Sequence, residues 1–196
     1  MAPALAIAQG ATDDAAALEK VKGTVYVHTI PAEAASAGRQ CGFEFLVIAR
    51  DPSNGHAVQL KGSFVVSRNE QGAFYGWSGV LYDGLKHGAA AHPPGRIAIQ
   101  PVNGMRIKQP PPTERGNGDT LQYRERVDAD FQVLLASIVR DRGLKVGFSR
   151  EPDGALIETM LDMDVSAMQV QDGRVLRHFD SQVPLQMGRC WNGNGS

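Results

Sequence analysis

Three consecutive runs in the first half constrain the fold more than any other feature. Cys41 to Ala49 (CGFEFLVIA), Ala57 to Ser67 (AVQLKGSFVVS) and Ala73 to Tyr82 (AFYGWSGVLY) are rich in β-branched and aromatic residues. In the first, period-2 alternation sets Cys41, Phe43, Phe45 and Val47 on one face and Glu44 on the other. Asp51-Pro-Ser-Asn-Gly55 closes that run, with proline fixing one φ and Asn-Gly supplying positive φ, and Arg68 to Gly72 (RNEQG) closes the second. The spacing predicts an antiparallel meander, preceded by a strand over Thr24 to Ile30 that ends at Pro31.

The second half is less regular. Asp83 to Gly95 (DGLKHGAAAHPPG) is a loop longer than the usual two to six residues, and such loops often carry function. Asn103-Gly104 predicts a hairpin joining Arg96 to Val102 with Met105 to Lys108. The three prolines in Gln109 to Asp119 lack amide donors, so that segment is read as a surface loop or the seam between halves of one domain, without ladder pairing.

Phe131, Leu134, Leu135, Ile138 and Val139 form an i, i+3, i+4, i+7, i+8 stripe, which predicts one amphipathic helix near 130–142. Asp128 and Asp130 suit its N-terminus, Arg140 and Arg142 its last turn, and Gly143 its stop. Strands are expected over Leu144 to Phe148, Leu156 to Val165, Val175 to Phe179 and Val183 to Met187, with a hairpin signal at Asp172-Gly173. The fold class is therefore mainly β, or β-rich α+β: an antiparallel sandwich or partly open barrel with one helix on a face or end.

The 196-residue chain is 42% hydrophobic, enough for one core. A single β-rich domain over 23–191 is expected, between an N-terminal arm (1–22) and a flexible tail (192–196). The arm opens MAPALAIAQGA, with Ala6 and Ala8 bracketing Ile7 as at a signal-peptide cleavage site, and its Ala15 to Leu18 stretch suits a short helix. A formal charge of −1 gives no field to draw in nucleic acid, and no apolar run approaches the ~18 residues that span a bilayer.

Several constellations suggest chemistry. Asp83, His87 and His92 in the long loop carry metal-ligand chemistry, although the histidines are five positions apart and no compact helical pair results. Ser78, in Gly76-Trp-Ser-Gly79, could act as a nucleophile with His178 as base and Asp180 as orienter, but Val80 stands where a nucleophile elbow has glycine. Asp162-Met-Asp164 resembles the opening of a calcium loop, yet Ala167 and Gly173 replace the required Gly and Glu.

Tyr75, Trp77 and Tyr82, with Phe74, lie among glycines and serines and could present rings to a ligand; alternatively Tyr75, Trp77 and Leu81 turn into the core. No P-loop, dinucleotide fingerprint, HExxH or CxxC is present, and no cofactor is implied. Cys41 and Cys190 are the only cysteines and are expected to form one disulfide in an oxidising compartment. The expectation is an exported, periplasmic or secreted non-catalytic accessory protein that recognises a protein or glycan of the cell envelope. The alternative is a metal-dependent or serine-type hydrolase using the 83–92 loop.

Overall fold

The computed structural model describes residues 15–35, 38–85, 88–115 and 118–192. The meander is present, but its first strand does not end at Pro31: it continues through a register shift between Ile30 and Glu33 as far as Ala35. Strands β1 (Gly23–Ala35), β2 (Gly38–Arg50), β3 (Ala57–Asn69) and β4 (Gly72–Asp83) pair antiparallel in sequence order. Strand β8 (Leu121–Arg126) continues the sheet beyond β4, β7 (Pro112–Arg115) forms its far edge, and the two-residue β5 (Ala91–His92) also pairs with β4.

A second antiparallel sheet runs in the order β10 (Ile157–Asp162), β9 (Gly143–Ser149), β6 (Arg96–Pro101). A two-stranded ribbon joins β11 (Ala167–Gln171) to β12 (Arg174–His178) through the Asp172-Gly173 turn. Among the described residues no sheet closes into a barrel, and the architecture is a β-rich sandwich-like fold.

Alternation decides what the large sheet buries. Phe43, Phe45 and Val47 of β2, Leu60 and Phe64 of β3, and Leu81 of β4 are fully enclosed, as are Ile97, Ile99, Val146 and Phe148 of the second sheet. The two sheets approach so closely that a Cβ at Gly79 would lie 2.6 Å from Ile97 Cδ1. The free edge of β6 is satisfied by side chains. Trp77 Nε1 donates to the Ile97 carbonyl at 3.4 Å, and the Ile97 amide donates to Tyr123 Oη at 2.9 Å.

Three helices are present among the described residues. Helix α1 (15–21), within the expected arm, buries Leu18 at 1% exposure. Helix α2 (Ala129–Val139) carries the predicted stripe; Asp128 caps it by accepting from the Phe131 amide at 3.0 Å. It stops three residues before the expected end, because Arg142 adopts the left-handed conformation (φ 55°) while Gly143 already begins β9. Leu134 is fully buried and Leu135 is 9% exposed at the rim. Leu135→Ala is expected to cost about 2 to 3 kcal/mol, the low end for such a truncation. Denaturant midpoints measure this, and a loss below ~0.5 kcal/mol would show that the stripe buries little.

Three expectations are corrected. Val183 to Met187 is not a strand but the start of helix α3 (Val183–Trp191). A strand would place Val183, Leu185 and Met187 on one face, yet Leu185 is 48% exposed while Val183 and Met187 are buried one helical turn apart. Proline is tolerated in that first turn, where no intrahelical donor is needed.

Met105 to Lys108 is not a hairpin arm. The turn at Asn103-Gly104 forms, but paired side-chain amides replace the ladder: Gln100 exchanges hydrogen bonds with the Ile107 backbone (3.1 and 3.2 Å), and Gln109 with that of Ile99 (2.9 and 2.8 Å). The proline-rich segment does contribute a strand, β7, at the sheet edge with a register shift between Pro112 and Glu114; its one proline, Pro112, is the strand's first residue, where proline is tolerated.

Candidate functional site

The face of the large sheet turned away from the core carries a trough of about 740 Å³. Its floor follows from strand register. Ser63 of β3 lies opposite Ser78 of β4, which lies opposite Gln122 of β8; one row along, Val65, Gly76 and Arg124 align in the same way. The Ser63 and Ser78 hydroxyls are hydrogen-bonded at 2.8 Å. A Cβ at Gly76 would sit 2.3 Å from the Tyr123 carbonyl oxygen, so the floor there is necessarily bare backbone. Gln40, Ser67 and Thr113 complete the polar lining, and Thr113 is fixed by donating to the Gln122 carbonyl at 3.3 Å.

Hydroxyls and carboxamides both donate and accept without charge, which suits a neutral, hydroxyl-rich ligand. Phe74 supplies an aromatic ring at one end, with the Arg124 guanidinium carbon 4.3 Å and that of Arg126 5.7 Å from its centre. Farther along the same face Tyr26 stacks on His28, ring centres 4.9 Å apart. Burial first, then the charge of Glu44 and the nearby Tyr82, push the Tyr26 hydroxyl up to about 12, so it remains a donor at neutral pH.

The predicted ring residues divide between the two faces. Tyr75 and Trp77, each 2% exposed, point into the core, where Tyr75 packs on Phe131 (5.2 Å) and Trp77 on Tyr123 (5.2 Å). Tyr82 lies half-buried on the outer face. The ring that the trough uses is Phe74, whose phase follows from alternation once Tyr75 and Trp77 are known to point inward. Gln122 and Arg124 carry no sequence signal of their own, because only two buried residues mark the period of β8.

Two of the three metal candidates do meet, around a guanidinium. Arg150 donates through Nε to Asp51 Oδ2 and through Nη2 to Asp83 Oδ1, both at 2.6 Å, and its Nη1 lies 3.3 Å from His92 Nε2. His92 Nε2 is also 3.4 Å from Asp83 Oδ2. His87 lies outside the described residues, among which no three His, Cys, Asp or Glu side chains are grouped as a metal would need. Asp164, from the calcium-like stretch, is engaged by Arg142 Nε at 2.5 Å.

The serine constellation is dispersed. Ser78 lies on the large sheet with its hydroxyl bonded to Ser63, whereas His178 is exposed at the end of the two-stranded ribbon. The His178 carbonyl accepts from the Ser166 amide at 2.9 Å, and Asp180 follows beyond the strand. Among the described residues no hydrogen bond joins the three side chains. Cys41 and Cys190 do form the disulfide, tying β2 to α3. No protein-family model, curated protein or solved structure matches the chain.

Proposed function

We propose that this is an exported, non-catalytic binding protein that holds a glycan of the cell envelope in the outer trough of its large sheet. The observation that carries the reading is the lining: hydroxyl and carboxamide groups from β2, β3, β4, β7 and β8 converge on one open trough with an aromatic ring at its end. Sugar hydroxyls pair with such groups, and a ring face covers the apolar side of a pyranose at low entropic cost. Export is supported by the Cys41–Cys190 disulfide, since such bridges persist where thiols oxidise.

Saccharide-array binding with purified, oxidised protein tests this reading. Retention of a saccharide without cleavage is expected. Ser78→Tyr, which fills the floor, is expected to abolish retention while leaving the thermal midpoint within a few degrees. Unchanged binding by this variant would move the site elsewhere, and cleavage of the retained saccharide would refute a purely binding role.

A further inference from the structure

We propose that the Phe74 end of the trough is a subsite for the acidic residue of an anionic polysaccharide, with Arg124 and Arg126 holding its carboxylate. This inference rests on the glycan reading above and deepens it. Arg126 lies directly across the strand pair from Phe74, and Arg124 is two residues away on the same face of β8. Both guanidiniums lie within cation–π range of the one ring, at 4.3 and 5.7 Å. Two cations held beside one ring repel each other, and an anion received between them removes that cost.

Both arginines are exposed, and among the described residues neither makes an ion pair. A second hollow of about 310 Å³ adjoins the trough here, sharing Phe74, Thr113 and Arg124 with it. Glu125 also lines this hollow, but its Oε1 accepts from the Arg126 backbone amide at 2.9 Å, which turns that oxygen back onto the chain.

Charge and shape select the ligand class. The planar guanidinium fork matches a carboxylate bidentately, and stacking on Phe74 pre-orients it. With a net charge of −1, long-range steering toward a polyanion is weak, so selectivity for acid groups must arise from these two side chains. Among the described residues, the rest of the trough offers neutral hydrogen-bonding groups. A nucleic acid would require many phosphate contacts, whereas a saccharide with one acid group at this end matches the lining.

Titration calorimetry with tetragalacturonate, its methyl ester and sodium sulfate tests the assignment. The acid is expected to bind roughly tenfold or more tighter than the ester, the fold-change of one charge-assisted pair. Added salt should erode that preference, and Arg124→Ala with Arg126→Ala should abolish it, bringing acid and ester to equal affinity while leaving the thermal midpoint within a few degrees. Phe74→Leu should weaken both ligands.

Equal binding of acid and ester by the native protein would overturn the acidic subsite and leave the glycan reading intact. Sulfate binding as tightly as tetragalacturonate would reduce the subsite to a bare anion site and overturn the saccharide assignment. Failure of both saccharides to bind would overturn the subsite together with the reading beneath it.

Discussion

Replacing Arg150 with methionine is expected to destabilise the protein by about 3 to 5 kcal/mol, because it strands a buried charge. The Asp51 side chain is only 3% exposed. Its Oδ1 accepts from the Ser53 amide and hydroxyl at 2.9 and 2.6 Å, and its Oδ2 accepts from Arg150 Nε. Methionine keeps most of the stem volume and removes the donors, so the loss reports the uncompensated carboxylate rather than a cavity.

Asp83, at the other end of the same guanidinium, is 53% exposed, and pairs of that kind contribute at most ~1 kcal/mol. Asp83→Asn is therefore expected to cost under ~1 kcal/mol, which separates the two halves of the network. Urea denaturation measures both variants. Similar small losses would show that Asp51 needs no partner.

The same network gives a pH dependence of definite sign. Burial alone would push the Asp51 carboxyl up, but hydrogen bonds from Ser53 and Arg150 outweigh it and hold the group below the usual carboxylate range. Asp83 is held low chiefly by its hydrogen bond from Arg150. For groups depressed in the folded state, the stabilisation is complete above the unfolded value of roughly 3.9 and is lost as pH falls through the folded value. With Arg150 gone, burial opposes only Ser53 and the Asp51 carboxyl protonates more readily. The stability gap between native protein and Arg150→Met should therefore narrow from neutral pH toward pH ~4, whereas a constant gap would assign Arg150 a packing role alone.

What could be read from the sequence depended on whether the deciding interaction was local. The meander was legible because Asp51 to Gly55 and Arg68 to Gly72 encode their turns and the runs between them alternate over ten residues or more. Helix α2 was legible because its stripe and its Asp128 cap lie within a single segment. In contrast, Val183, Leu185 and Met187 mimic strand alternation, and α3 is selected by distant partners: Trp191 packs on Phe131 in a tilted arrangement with ring centres 4.7 Å apart, and Arg68 lies 5.2 Å over the same indole.

Strand β8 reads Leu121-Gln-Tyr-Arg-Glu-Arg126, in which only two buried residues mark the period. The trough was illegible for the same reason, since cross-strand register brings Ser63 and Ser78 beside Gln122 from far along the chain. Ser78, whose flanking glycines suggest a nucleophile, is instead a hydroxyl in a row of neutral groups.

The second large effect is expected on removing the disulfide. Cys41 and Cys190 are 149 residues apart in sequence with Cα atoms 6.5 Å apart, so reduction releases nearly the whole domain from loop constraint. Chain-entropy reasoning sets the loss at about 5 kcal/mol, with engineered cases usually falling somewhat below such values. The consequence should be uneven through the fold. The core of the large sheet stays enclosed by β6 and β9, whereas α3 is held by the bridge, by Val183 and Met187, and by the Trp191 contact with Phe131.

With both cysteines replaced by alanine, a stability loss of ~3 to 5 kcal/mol is expected, with α3 amides losing hydrogen-exchange protection before those of β3 and β4. A loss below ~1 kcal/mol would show that packing alone fixes α3. Alkylation under denaturing, non-reducing conditions provides an independent readout. Protein recovered from an oxidising compartment should carry no alkylated cysteine; two alkylated thiols would refute the bridge and remove the main support for export.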